Sequence, residues 1–159
     1  MSILNIDRRK VIVGLIIGAA SIRSLLEGTG FVSTAAAQEA AGGGRLTLHA
    51  IDTYSGQTRP DLRIDLSIME NGAFRLLKTV STVQGGRTEA PVLEADELQV
   101  GRYELLLHLD EYFEGFGADL PEPPFLGKVP IRFGVFDAGQ RFHVPILFNP
   151  WNYSYYRGS

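Results

Sequence analysis

Imidazole is the side chain that takes up or gives a proton near neutral pH, and two histidines of this chain sit in settings where that could matter. His49 lies in "RLTLHAI" and His143 in "RFHVPILF". Both stretches alternate in character with the period of a β-strand. Leu46, Leu48 and Ala50 make one face of the first, which leaves Thr47, His49 and Ile51 on the other. Phe142, Val144, Ile146 and Phe148 make a core face in the second, opposite Arg141, His143, Pro145 and Leu147. Successive strand side chains point to opposite faces, so both histidines are expected to face away from the core. A lone histidine on a strand is commonly a structural residue with its hydrogen bonds satisfied. Here, however, the outward faces also carry Ile51, Pro145 and Leu147, which are poor company for water. Apolar residues mixed with histidine on an outer face fit a subunit interface containing a polar pocket.

The remaining chemistry-bearing patterns are sparse. His108 stands between Leu107 and Leu109 without a polar companion motif and is expected to be structural. The chain contains no Ser-x-x-Lys, Gly-x-Ser-x-Gly, His-Glu-x-x-His or phosphate-binding loop. It has no cysteine, so neither a disulfide nor a thiolate metal site can form. No two histidines are close in sequence, and neither a metal nor another cofactor is expected.

The elements that must position these histidines are short strands. "LRIDLSIM" sets Leu62, Ile64, Leu66 and Ile68 against Arg63, Asp65 and Ser67, and Asn71-Gly72 is a hairpin turn into "AFRLLKTV". Gly85-Gly86 is a second turn, followed by a short extended piece at Arg87-Thr88. "GRYELLLHL" is a strand with Tyr103, Leu105, Leu107 and Leu109 inward, "DEYFEGFG" one or two helical turns, and "LPEPPF" an irregular loop. "VPIRFGVF", "RFHVPILF" and "NYSYYRG" complete the series. In the last of these, Ser154, Tyr156 and Gly158 share one side. The expectation is an all-β domain, an eight-stranded β-sandwich with one short helix.

With 159 residues and 45% hydrophobic content, the chain suits one domain plus a leader. Asp7-Arg8-Arg9-Lys10 precedes "VIVGLIIGAA", and Ala35-Ala36-Ala37 stand just before Gln38. A basic region, an apolar region and small residues at a cleavage point read as an export signal over 1–37, and the adjacent arginines fit its twin-arginine type. Arg23 and Glu27 interrupt the apolar stretch before the roughly 20 residues of a spanning helix are reached. The expected organisation is a signal at 1–37, a linker at 38–44 and a domain at 45–159, with a periplasmic destination and no membrane partner after cleavage. Without 1–37 the chain keeps eleven basic and sixteen acidic residues. That balance argues against a nucleic-acid partner, which needs a basic face.

Five stretches, "LTLHAIDTYSG", "GGRTEAPVL", "YELLLHLDEYF", "PPFLGKVPIRFGV" and "FHVPILFNPWNYSYYRGS", together resemble the transthyretin-related proteins. Tyr156-Arg157-Gly158-Ser159 resembles the terminal signature of their enzymatic branch, which hydrolyses 5-hydroxyisourate in purine catabolism. The likeness covers roughly 45–159. It implies a transthyretin-like sandwich that assembles as a homotetramer, a dimer of dimers, with outer sheet faces lining a central channel. It further implies that His49, Arg87, His143 and the terminal tetrapeptide line that channel. One histidine would activate water and the other orient it or donate a proton. Arg87 would bind the substrate's polar edge and stabilise charge on its acyl oxygen. Tyr156 would contact the substrate ring, Ser159 would hold a histidine or the water, and Arg157 would be structural, bonding across the interface. Ala50, smaller than the branched residue usual in the family, is expected to loosen the pocket slightly. The alternatives are a non-catalytic small-ligand-binding protein of the same fold and a structural sandwich of the cell envelope. Neither explains paired outward histidines.

Overall fold

Strand-period alternation is realised from the first described residues onward. The structure, a computed structural model, describes residues 43–158, all of them within the unit formed by 39–159. The expected export signal, most of the linker and Ser159 lie outside the described residues. The strands are β1 (Arg45–Asp52), β2 (Arg63–Glu70), β3 (Ala73–Ser81), β4 (Leu93–Glu94), β5 (Gly101–His108), β6 (Lys128–Val135), β7 (Arg141–Phe148) and β8 (Tyr153–Tyr155), with a helix α1 (Leu109–Gly115) after β5. They form two four-stranded sheets in the orders β4-β1-β7-β8 and β3-β2-β5-β6. The expected eight-stranded sandwich with one short helix is therefore what the chain builds.

The two sheets bury their facing sides against each other. Leu46, Leu48 and Ala50 of β1 and Phe142, Val144, Ile146 and Phe148 of β7 meet Ile64, Leu66, Tyr103, Leu105, Leu107 and Ile131 from the opposite sheet, all buried. Leu109, Tyr112 and Phe113, three and four residues apart, turn one face of α1 onto this core. Tyr112 and Phe113 each meet the Phe148 ring edge-on, at 5.3 and 5.9 Å. Truncating such a buried aromatic costs about 3–5 kcal/mol. An outward residue held by one hydrogen bond contributes about 1 kcal/mol. The core therefore carries the fold and leaves the outer faces free for other uses.

Two expectations are corrected. Arg87-Thr88 is not a strand: Val83 N–H donates to Arg87 O at 2.7 Å and Gly86 N–H to Val83 O at 3.0 Å, which curls 83–87 into a turn. The strand that pairs with the start of β1 is β4, through Leu46↔Leu93. The turn lies on the later edge of β1, where Ala50 N–H donates to Gly86 O at 2.7 Å. A Cβ on Gly86 would come within 2.1 Å of Ala50 O, and its φ is +68°, so a glycine is required for this approach. Ala50 itself points into the core and is 3% exposed. Its small size therefore alters core packing and leaves the outward pocket unchanged.

His108 is structural, as its lack of a companion motif suggests, but it is held by charge and not by apolar packing. It is 3% exposed. Its Nε2 lies 2.8 Å from Asp65 Oδ2 and its Nδ1 3.0 Å from Glu111 Oε1. Glu111 also accepts from Lys128 Nζ at 2.9 Å, and Asp65 from Thr79 Oγ1 at 2.6 Å. Hydrogen bonds from Lys128 and then His108 hold the Glu111 carboxyl down at about 2. Hydrogen bonds from Thr79 and His108 and the charge of Arg63 outweigh the opposing effect of burial, the largest single influence, and lower Asp65. Carboxyls depressed in the folded state contribute stability above their unfolded values that is lost as pH falls through the folded ones. Urea unfolding of the wild type should therefore lose free energy between about pH 4.5 and 2, the range separating the ordinary and folded values of Glu111. His108→Ala should cost about 1–3 kcal/mol at neutral pH and flatten that acid-side slope. An unchanged slope would show that the cluster adds nothing to the fold.

Candidate active site

The outer face of the β4-β1-β7-β8 sheet is set by one ladder. β1 and β7 run parallel, with Thr47 opposite His143, His49 opposite Pro145 and Ile51 opposite Leu147. Both histidines thus lie on one face, on adjacent strands and one step apart diagonally. Each is partly exposed, and His49 is close enough to lower the proton affinity of His143 through its charge. The chain beyond β8 continues antiparallel to β7. Tyr156 N–H donates to Pro145 O at 3.3 Å, Gly158 N–H donates to His143 O at 2.8 Å, and His143 and Gly158 form a bridge. The register therefore puts Ser154, Tyr156 and Gly158 on the face that carries His143.

Hydrogen bonding fixes each imidazole. His143 Nδ1 lies 2.9 Å from Thr47 Oγ1, and the ring also bonds the Thr47 backbone. His49 bonds the backbone of Gly85, in the 83–87 turn. A carbonyl can only accept, so the nitrogen that faces it carries the proton and the other keeps its lone pair. These bonds hold each ring in place. Thr47 and Gly85 were not singled out from the sequence; only the β1–β7 register and the folding of the turn bring them to the histidines.

The electrostatics favour neutral imidazoles. Burial is the main cause lowering the pKa of His49, followed by the positive charge of Arg87; the Gly85 bond partly opposes both. His143 is lowered by burial first, then by Arg87, then by His49, against its Thr47 bond. The turn that replaces the expected strand brings Arg87 to both rings. The arrangement comprises two bases that stay unprotonated at neutral pH and a permanent cation able to stabilise developing negative charge. Of the residues expected here, His49, Arg87 and His143 come together, Tyr156 joins their face by register, and Ser159 lies outside the described residues. A cleft of 460 Å³ that shares Gln84 of the turn is lined by Gln57, Arg59 and Tyr112 and by neither histidine. A smaller cavity of 190 Å³ reaches His143, beside Phe142, Tyr156 and Arg157. No group of three His, Asp or Glu side chains with metal-binding spacing occurs among the described residues.

Residues 46–158 match the model of the HIUase/Transthyretin family. The 5-hydroxyisourate hydrolase of Ralstonia nicotianae is 49% identical over 116 residues, covering 73% of this chain and 99% of its own. The 5-hydroxyisourate hydrolase 2 of Rhizobium meliloti is 46% identical over 116 residues, 73% of this chain and 97% of its own. Among solved structures, the 5-hydroxyisourate hydrolase of Klebsiella pneumoniae has a TM-score of 0.60 at 27% identity, over 73% of this chain and 99% of that one. An (S)-allantoin synthase has a TM-score of 0.69 at 37% identity over 73% of this chain, which spans only 44% of the synthase's length.

The charge of Arg87 gives a direct test of the cluster. Both histidines should titrate below 6.5 when followed by ring-proton NMR, and Arg87→Gln should move both midpoints upward, toward that ordinary value. Midpoints unmoved by the substitution would remove Arg87 from the site.

Proposed function

The chain belongs to the HIUase/transthyretin family, and from that premise we propose that it hydrolyses 5-hydroxyisourate to 2-oxo-4-hydroxy-4-carboxy-5-ureidoimidazoline, a step of urate degradation. The observation that carries this reading is the pairing of two outward, neutral histidines beside Arg87. A fold alone does not imply catalysis, and a site built only to bind an apolar ligand would have no use for two bases and a cation. Relatives named for this activity align over nearly their whole length, which adds support.

Hydrolysis adds water to a ring acyl carbon and breaks its bond to the ring nitrogen. One of the pair, His49 or His143, takes a proton from the attacking water. The new C–O bond pushes charge onto the acyl oxygen, where the Arg87 guanidinium stabilises it. Collapse of this intermediate expels the nitrogen, which receives a proton from the imidazolium or its partner, and leaves a carboxylate. Tyr156 contacts the substrate ring, and Ser159 holds a histidine or the water. Because the bases must be neutral to act, activity falls on the acid side as the histidines protonate.

The family assembles as oligomers around small-molecule sites, and for this chain we propose a tetramer, two dimers whose outer sheet faces enclose a channel. Ile51 and Leu147 are half-buried in one subunit, and the open histidine face becomes a water-restricted site once covered. Neither of the other readings, a small-ligand-binding protein or an envelope sandwich, accounts for the histidine pair.

Ultraviolet absorbance of freshly generated 5-hydroxyisourate provides the assay. His49→Ala, His143→Ala and Arg87→Ala should each reduce turnover by about two orders of magnitude or more with little change in melting temperature, and His108→Ala should leave turnover nearly intact. Substrate decaying at its spontaneous rate in the presence of wild-type protein would end the hydrolase reading. Light scattering on the domain should give about four times the subunit mass. An active monomer would rule out the channel.

A further inference from the structure

Strand alternation sends Tyr156 and Gly158 to the face of His143 and sends Arg157, between them, the other way. Its guanidinium carbon lies 5.1 Å above the ring of Phe142 and 5.6 Å above that of Phe136. Those two rings meet edge-on at 5.5 Å, and Arg157 Nη2 donates to Gln140 Oε1 at 3.1 Å. Phe142 belongs to the core, whereas Phe136 is largely exposed. Apart from this cation, 156–158 is fastened to β7 by the bonds from Tyr156 N–H and Gly158 N–H, and the Tyr156 side chain is exposed. On the other face, Gly158 packs tightly on a histidine ring. A Cβ added there would lie 2.9 Å from His143 Cδ2 and 3.4 Å from His143 Cβ. One side of the segment is thus anchored at the edge of the core while the other covers His143.

We propose that Arg157 is a positioning residue, whose cation–π contacts with Phe142 and Phe136 clamp the terminal segment to β7 so that Gly158 covers and orients the His143 ring. This assignment rests on the reading of His143 as part of a hydrolytic site, but the clamp itself has a readout independent of activity. A guanidinium suits the place because its cation lies over two aromatic rings and still donates to Gln140. The segment it holds restricts solvent at an imidazole whose other face is fixed by Thr47. Misplacing a reacting group by about 1 Å costs around a hundredfold in rate, so a clamp remote from the substrate acts on turnover more than on binding.

Releasing the segment would expose His143 to water and relieve the burial that is the main cause of its lowered proton affinity. The other groups toward His143 are Arg87 from the 83–87 turn, His49 from β1 and Tyr156 from the segment, with Arg45 and Arg141 one step along the same outward rows. None of these is altered by a change at Arg157. In Arg157→Met, the NMR midpoint of His143 should rise toward 6.5 while that of His49 moves less, and kcat should fall about ten- to a hundredfold with KM little changed. Arg157→Lys should restore much of both. Phe136→Leu, which leaves the Arg157 charge in place and removes only its exposed platform, should shift His143 in the same direction by less. A folded Arg157→Met protein with wild-type His143 titration and kcat would overturn the clamp, as would a midpoint that shifts in Arg157→Met but is unmoved in Phe136→Leu. If the wild type fails to hydrolyse 5-hydroxyisourate, the functional reading fails, and the His143 titrations still decide the clamp.

Discussion

Parallel pairing of β1 with β7 is the constraint on which both the core and the histidine face depend. The two strands are far apart in the chain, with Thr47 and His143 separated by 96 residues, yet a single register sets everything they carry. On one side it interleaves Leu46, Leu48 and Ala50 with Phe142, Val144 and Ile146. On the other it brings Thr47 to His143 and places His49 a diagonal step away. A slip of one residue would exchange the faces of the shifted strand, burying a histidine without a partner and exposing leucines or phenylalanines. The hydrophobic pattern that stabilises the sandwich therefore also specifies the geometry of the site, with no separate device to align the histidines.

The three histidines show how environment divides one side chain between two roles. His108 is deeply buried with a carboxylate oxygen at each ring nitrogen, and it joins β2, β5 and α1 through charge-assisted bonds. His49 and His143 each spend one nitrogen on a neutral acceptor and lie near a guanidinium, so they favour the unprotonated form. A lone pair is then available on each at neutral pH. The first arrangement suits cohesion and the second proton transfer. Burial is the main cause of the preference for the neutral form, and Arg87 adds to it. The place of Arg87 depends on Gly86, because only a residue without Cβ lets the 83–87 turn lie against the edge of β1.

Much of this was legible in the residues. Strict alternation in "RLTLHAI" and "RFHVPILF" located two strands, their core faces and the outward direction of both histidines. Asn71-Gly72 marked the hairpin, and the apolar spacing in "DEYFEGFG" marked the helix. The same stretches carried the resemblance to the transthyretin-related proteins. These features are local: a side chain's face follows from the two-residue repeat of the extended backbone, and a turn from the φ that glycine and asparagine tolerate. Other features were not legible. Arg87-Thr88 reads as a short extended piece, but hydrogen bonds donated by Val83 to Arg87 and by Ala50 to Gly86 curl 83–87 and hold it on β1. The family resemblance alone ties Ala50 to the pocket, whereas its own strand parity points it inward.

What the sequence determined by itself is accordingly the set of strands and which side chains each turns away from the core. Tertiary structure alone decided which of those outward residues become neighbours. It paired β4 with the start of β1, gave His143 to Thr47 and His49 to Gly85, and set the Arg157 cation over two phenylalanines. The reason is physical. Periodicity is written in a few consecutive φ and ψ angles, whereas register and loop closure are settled by hydrogen bonds and packing between segments distant in the chain. Those contacts exist only once the whole sandwich has closed.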